Sequence, residues 1–257
     1  MEAADDALDW LGKPVHCADC EHNPLLSQGR CRKGYACVLD RRIKHMDRFF
    51  RSVPQLAASY LDHPYFELRA VATKYAGLFS VPPMLSDPEP EVRMTAVARL
   101  PLERVRGLAH DPDRRVRIGV VMKMEGKDLI SMLADADHYV RVVVVRKMAP
   151  DLLPMAMRDP EIIVRRWVAR RIVETRLIDM HDDKEPMVRL EVADRLAPDR
   201  LSIFVDDPDL RVRFTAAERI DPAHLHLFLQ DRESIIRDMA RQRLSERGLP
   251  VSVHEPT

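Results

Sequence analysis

The sequence predicts an all-α protein, a curved solenoid of 24-residue repeats behind a small N-terminal metal-binding segment. Three observations carry that reading. A short motif recurs in register along most of the chain. Its apolar residues are spaced as on one helix face. All four cysteines fall within the first 37 residues. Residues 1–50 are read as the cysteine segment, 51–248 as about eight repeats and 249–257 as a C-terminal tail.

On a 24-residue grid, Asp recurs at Asp87, Asp111, Asp135, Asp159, Asp183, Asp207 and Asp231. Pro88, Pro112, Pro160 and Pro208 directly follow four of them. Five residues after each Asp stands Val92, Val116, Val140, Val164, Val188, Val212 or Ile236. Arg follows each time, at Arg93, Arg117, Arg141, Arg165, Arg189, Arg213 and Arg237. An earlier repeat from His63-Pro64 keeps Leu68-Arg69 without the Asp. Periods of about 20–50 residues mark stacked-repeat architectures.

Each repeat opens with a helix. Val92, Ala96 and Leu100 are four apart, as are Val164, Val168 and Ile172, which is helical spacing. Glu89, Asp113, Asp137, Glu161, Glu185, Asp209 and Glu233 precede these runs, and carboxylates suit the positive end of a helix. Pro90 and Pro186 take the first helical position, where Pro is tolerated. Pro101, Pro150, Pro198 and Pro222 stop the helices. The helix of one repeat therefore runs from about Pro90 to Leu100. The remaining half of the repeat has room for two turns and a second short element, 3₁₀ among the options, carrying Leu129, Leu153, Leu177, Leu201 and Leu225. Strand signals are weak, with no alternating runs and no Asn-Gly or Asp-Gly hairpins. A repeat this small cannot bury its apolar stripe alone, so neighbours must stack on it.

Two charged rows run through the repeats. The Arg after each Val falls about 100° round the helix, inside the apolar arc. A charge there needs a partner. The expected partner is the Asp of the same or the next repeat, in a ladder suited to the planar guanidinium. A second basic row comprises Arg99, Lys123, Lys147, Arg171, Arg195, Arg219 and Arg243. In the last helical turn these cations oppose the helix dipole. The alternative is that they hold an acidic protein surface, which makes the row the repeats' candidate partner-binding site. Met122, Met124, Met132, Met148, Met155 and Met157 cluster mid-chain and read as core filling. His110, His138, His181, His224 and His226 show no ligand spacing.

Apolar residues make up 46% of the chain, enough for a core, and aromatics only 5%. The 41 basic and 41 acidic side chains cancel, which argues against a general nucleic-acid or membrane binder. No stretch approaches the roughly 18 apolar residues of a membrane span. The N-terminus, Met1 to Asp6, is acidic and has no signal-peptide h-region. The expected location is therefore the cytoplasm, where disulfides are rare.

The cysteines, Cys17, Cys20, Cys31 and Cys37, are spaced C-x₂-C-x₁₀-C-x₅-C. Four clustered thiolates fit a tetrahedral zinc ion or an iron–sulfur cluster. Gly29, Gly34 and Pro24 supply turns for a ligand loop. Zinc sites usually show two tight knuckles, and the second pair here is wider, which favours a cluster without removing zinc. From His22 to Arg51 eight Lys or Arg stand against two Asp. Basic surroundings stabilise an anionic cluster; the same charge is also compatible with a solvated helix or a docking patch. His16 and His22 are near enough to substitute as ligands, but four Cys make that unnecessary.

The Cys17-x₂-Cys20-x₁₀-Cys31-x₅-Cys37 segment and repeats such as Asp207-Pro208-Asp209-Leu210-Arg211-Val212-Arg213 resemble the leucine-rich repeat variant family of iron–sulfur proteins, associated with nitrogen-fixing bacteria. The likeness spans roughly residues 14–245. It implies alternating α and 3₁₀ helices in a right-handed superhelix and a [4Fe–4S] cluster on the four cysteines. The Asp-Pro-x-x-x-Val-Arg core also resembles HEAT-like repeats, although 24 residues is too short for two full helices.

The function expected first is an interaction scaffold for a protein partner, with a cluster serving electron transfer or redox sensing. The second is a binding module whose metal only fixes the N-terminal cap. Nucleic-acid binding through the basic rows comes third. An enzyme has least support, because no acid–base pair, nucleophile or catalytic motif is present.

Overall fold

The computed structural model describes residues 7–249. The acidic start Met1–Asp6 and the tail from Pro250 onward lie outside the described residues. The chain divides into two compact units, residues 1–124 and 125–257. No strand forms among the described residues; isolated bridges join Leu8 to Pro14 and Arg32 to Ala36.

In the first unit the helices Ile43–Ser52, Phe66–Tyr75, Pro90–Arg99 and Arg114–Val121 pack each on the next. The 3₁₀ segments Pro54–Tyr60, Pro82–Ser86 and Arg106–His110 connect them. In the second unit the series is His138–Lys147, Ile162–Arg171, Pro186–Arg195, Leu210–Arg219 and Ser234–Glu246, again each packed on the next. Its 3₁₀ connections include Leu153–Ala156, Ile178–Met180, Pro198–Phe204 and Pro222–Phe228. The alternation of α and 3₁₀ helix that the family resemblance implies is present in both units.

The local causes are those of the sequence pattern. Glu89, Asp113, Asp137, Glu161, Glu185, Asp209 and Glu233 are the N-cap residues of their helices. Asp113, Asp137 and Asp209 accept a bond from the backbone N–H two residues on. The Glu caps make no such bond. Their longer side chains overshoot the first turn and supply only charge. Val92, Ala96 and Leu100 are buried, as are Leu129, Leu153, Leu177, Leu201 and Leu225. Each buried aliphatic side chain of this size contributes about 1.5–3 kcal/mol. The methionines divide. Met124, Met132 and Met148 are core, but Met122 and Met155 are exposed. Core filling therefore explains only part of that cluster, because Met122 follows the last helical residue and Met155 lies on the outer side of its 3₁₀ turn.

The Asp–Arg ladder runs to the next repeat. Arg93 Nε and Nη2 donate to the two Asp111 oxygens at 2.7 and 2.8 Å. Its Nη1 donates back to the Asp87 and Pro88 carbonyls at 2.8 and 2.9 Å. Asp111 Oδ1 also accepts the Asp113 N–H at 2.9 Å. The same fork recurs as Arg69–Asp87 in the first unit, and as Arg141–Asp159, Arg165–Asp183, Arg189–Asp207 and Arg213–Asp231 in the second. Each guanidinium therefore joins its own loop's carbonyls to the carboxylate 18 residues on. That is how a charge sits inside the apolar arc: every strong donor direction has an acceptor.

Candidate metal centre

The cysteines are carried by two short loops and held against the Ile43–Ser52 helix. In the first loop the Cys20 N–H donates to the Cys17 carbonyl at 3.3 Å, and Asn23 Nδ2 donates to the same carbonyl at 2.7 Å. The one-turn helix Asn23–Ser27 follows, with Pro24 in its first turn. Gly29 at φ +67° reverses the chain toward Cys31, a conformation open to glycine without strain. The second loop is closed by paired backbone bonds between Arg32 and Ala36, at 2.7 and 2.9 Å. Gly34 at φ +69° forms its tip. Cys31 and Cys37 thus sit at the two feet of one tight turn. Cys37 N–H donates to the His45 carbonyl at 3.1 Å, tying that foot to the helix.

All four cysteines line one pocket of about 340 Å³, counting its part open to solvent. Val15, Leu26, Ala36, Val38 and Phe49 supply its apolar wall, and His22, Arg32 and Lys33 its polar edge. Cys37 is buried and the other three are half-buried. Among the described residues no three His, Cys, Asp or Glu side chains converge tightly enough to hold a single ion. All four thiols nevertheless face one cavity.

Burial, then the neighbouring Cys20 and Cys17, push the Cys31 thiol up. Burial pushes Cys37 up to about 11, although the backbone N–H groups of Leu39 and Asp40 pull the other way. Apolar walls and mutual repulsion oppose thiolates in this pocket, so a strongly positive group is needed to hold four of them. Soft sulfur donors around an apolar cavity fit an iron–sulfur cluster, and they also suit zinc.

Three features of the surroundings escape the sequence pattern. Asp40 is wholly buried. It accepts two bonds from the Arg42 guanidinium, at 2.9 and 2.7 Å, and one from His45 Nδ1 at 2.8 Å. Burial raises its carboxyl, but Arg42 and His45 bring it down to about 2. His22 does not need to be a ligand: its Nε2 lies 2.5 Å from the Tyr60 hydroxyl, which donates to Glu21 at 3.0 Å. Phe49, Phe50 and Tyr60 continue this contact as an aromatic run with ring centroids 5.4 to 5.6 Å apart. The pocket wall is thereby continuous with the first repeat. His16 is exposed.

The second basic row has a structural occupation. Arg99 donates to the carbonyls of Thr73, Lys74 and Ala76 at the end of the preceding helix, at 2.7 to 2.9 Å. Lys123 reaches the Ala98 carbonyl at 3.1 Å. Arg171 bonds the Val145 and Met148 carbonyls, and Arg195 those of Ala169 and Ile172. Arg219 bonds Ala193 and Leu196, and Arg243 bonds Ala217 and Ile220. Lys147 is half-buried in the last turn of its helix. These side chains satisfy carbonyls that a helix C-terminus leaves without partners, one repeat back from their own.

Comparison with known proteins agrees with this geometry. Residues 7–59 match the family model described as the LRV protein FeS4 cluster, which points to an iron–sulfur cluster. An uncharacterized 27.7 kDa protein in the nifB 3′ region of Rhodobacter capsulatus is 42% identical over 93 residues, 36% of this chain. That match spans 38% of the relative's own length. A solved structure, described as a leucine-rich repeat variant with a novel repetitive protein structural motif, superposes with a TM-score of 0.85 at 38% identity. The superposition covers 90% of this chain and 99% of the solved one. The chain belongs to the leucine-rich repeat variant family.

Proposed function

We propose that the chain is a redox-active interaction scaffold in the cytoplasm, in which Cys17, Cys20, Cys31 and Cys37 hold a [4Fe–4S] cluster and the repeats present a surface to a protein partner. The observation that carries this reading is the arrangement of the four thiols around one apolar cavity. A cluster takes its thiolates at its corners, so four thiols lining one apolar cavity suit it. When bound, it supplies one-electron chemistry. The chain's own residues do the rest. Val15, Val38 and Phe49 exclude water from one side of the cavity. The buried Arg42–Asp40–His45 network fixes the segment that carries Cys37. Arg32 and Lys33 place positive charge at its edge.

The relative in the nifB 3′ region supports a place alongside nitrogen fixation. Within each unit the basic row, Arg99 and Lys123 in the first and Lys147, Arg171, Arg195, Arg219 and Arg243 in the second, offers a further surface to an acidic partner. Its residues are half-buried, and Arg195 and Arg219 bond the helix before their own.

The reading is tested by purification without oxygen, followed by iron, sulfide and zinc analysis and EPR of the reduced protein. About four irons and four sulfides per chain are expected. One zinc and no iron would instead make the metal a structural cap.

A further inference from the structure

We propose that Arg32 and Arg48, grouped around Tyr35 beside Cys31, form with Arg30, the residue before Cys31, the docking face for an acidic protein that exchanges electrons with the cluster. This rests on the cluster reading above. Arg32 follows Cys31 directly and lines the cavity with it. Its guanidinium carbon lies 4.5 Å from the centroid of the Tyr35 ring, and that of Arg48 lies 4.2 Å from the same ring. Arg48 also donates to the Tyr35 carbonyl at 3.3 Å. Arg30 donates to the Ser52 carbonyl at 2.6 Å, and Ser52 Oγ returns a bond to Arg30 at 2.6 Å. The cations are thus held in fixed positions, although Tyr35 is 46% exposed. A tyrosine between two arginines, pre-ordered at the surface, has the composition of an interface anchor.

The charge of this face is not cancelled by Asp40 and Asp47, the two acids between His22 and Arg51. Asp40 is buried between Arg42 and His45. Asp47 is engaged by Arg51, Lys74 and Tyr75. An acidic protein fits better than a nucleic acid for two reasons. The chain's formal net charge is zero. The fork arginines of the repeats are directed at internal carboxylates, so they add no basic track for a phosphate backbone. A small rigid basic face beside a redox centre steers and orients an acidic partner.

The test uses the full chain carrying its cluster, reduced and mixed in stopped flow with ferricyanide or with hexaammineruthenium(III). One electron passes to the oxidant, giving ferrocyanide or hexaammineruthenium(II), with no bond made or broken. The rate with the anionic oxidant is expected to fall about tenfold as salt rises, and the rate with the cationic oxidant to rise. The Arg32→Glu/Arg48→Glu double variant should lose the ferricyanide advantage. Arg32→Lys/Arg48→Lys should retain it, and Lys184→Glu, exposed in the second unit, should leave it unchanged. The same salt response to both oxidants in the parent protein overturns the proposal without any variant. A second readout needs no cluster: an oligoglutamate peptide should bind the parent chain and not the double Glu variant. Tighter binding of oligothymidylate of equal charge assigns the face to nucleic acid and overturns the protein partner. A preparation without iron that still binds the peptide through Arg32 and Arg48 sinks the cluster reading and leaves the acidic docking face.

Discussion

The cysteine segment and the repeats are neighbours in the chain and are held together by opposite devices. In the segment, Cys37 belongs to a small buried apolar cluster with Ala7 and Val15, against which Leu39 packs. Its loops turn on positive-φ glycines, at Gly12, Gly29 and Gly34. Nothing in it is used twice. In the repeats, one fully buried Val, one Arg fork and one Asp turn recur, and each copy supports the next. A periodic structure is stabilised by many equivalent nearest-neighbour contacts. A small irregular one lacks the buried area for that and needs a cross-link. On the function proposed above, the cross-link is the cluster on the four cysteines, whose binding free energy is folding free energy.

The largest expected effect follows directly. Cys37→Ser removes the buried ligand and should take iron from about four per chain to near none. Hydrogen exchange should then show lost protection in residues 7–40, including the Cys37 N–H, with the second unit unchanged. Full protection of residues 7–40 in the metal-free variant would show that the segment folds without its cross-link, and the contrast with the repeats would fail.

The next effect lies in the repeats. Arg189 donates to both Asp207 oxygens, at 2.7 and 2.9 Å, and both side chains are buried. Arg189→Ala leaves the buried Asp207 carboxylate with the Asp209 N–H but no counter-charge and should cost about 3–5 kcal/mol, read as a lower urea midpoint for the second unit. Arg195→Met keeps the apolar stem but removes the donors to the Ala169 and Ile172 carbonyls. Its cost should be smaller, about 1–3 kcal/mol. If Arg195→Met is silent in urea yet weakens binding of an acidic protein, the row serves partners rather than the helix before it.

These two rows also show what was legible in the sequence. The period, the helix from Pro90 and the buried Val and Leu positions follow from spacing, because a repeat writes its own contacts at fixed intervals. The direction of the Arg fork does not. Asp87 and Asp111 stand at equivalent positions on either side of Arg93, and only stacking decides that the side chain takes the carboxylate of one and the backbone of the other. Likewise Arg99 reads as a cation at its own helix end, while its acceptors are on the previous helix. In the cysteine segment the thiols are visible as a cluster of Cys. The Asp40–His45 pair and the His22–Tyr60 contact are not, because they join residues once and with no period. Asp40 looks like one more surface acid in a basic stretch, and its burial could be found only in three dimensions.

The smallest effect separates the helix caps within the repeats. Asp209 accepts the Arg211 N–H at 2.9 Å and pairs with the Arg211 guanidinium, which holds its carboxyl down at about 2 against an ordinary 3.8. Glu161 occupies the same position in an earlier repeat without a side-chain cap bond. Asp209→Ala should therefore cost about 1 kcal/mol, and Glu161→Ala only a few tenths. Because the folded-state value of Asp209 lies below the unfolded one, its contribution is complete above about pH 4 and is lost as pH falls through 2. The gap in urea midpoint between Asp209→Ala and the parent should close over that window. An Asp209 gap of the same size at pH 6 and pH 2 would mean that the hydroxyl form caps as well as the anion. The acids at these positions would then act by shape rather than charge, and Glu161 would be the poorer cap only because its side chain is one methylene too long.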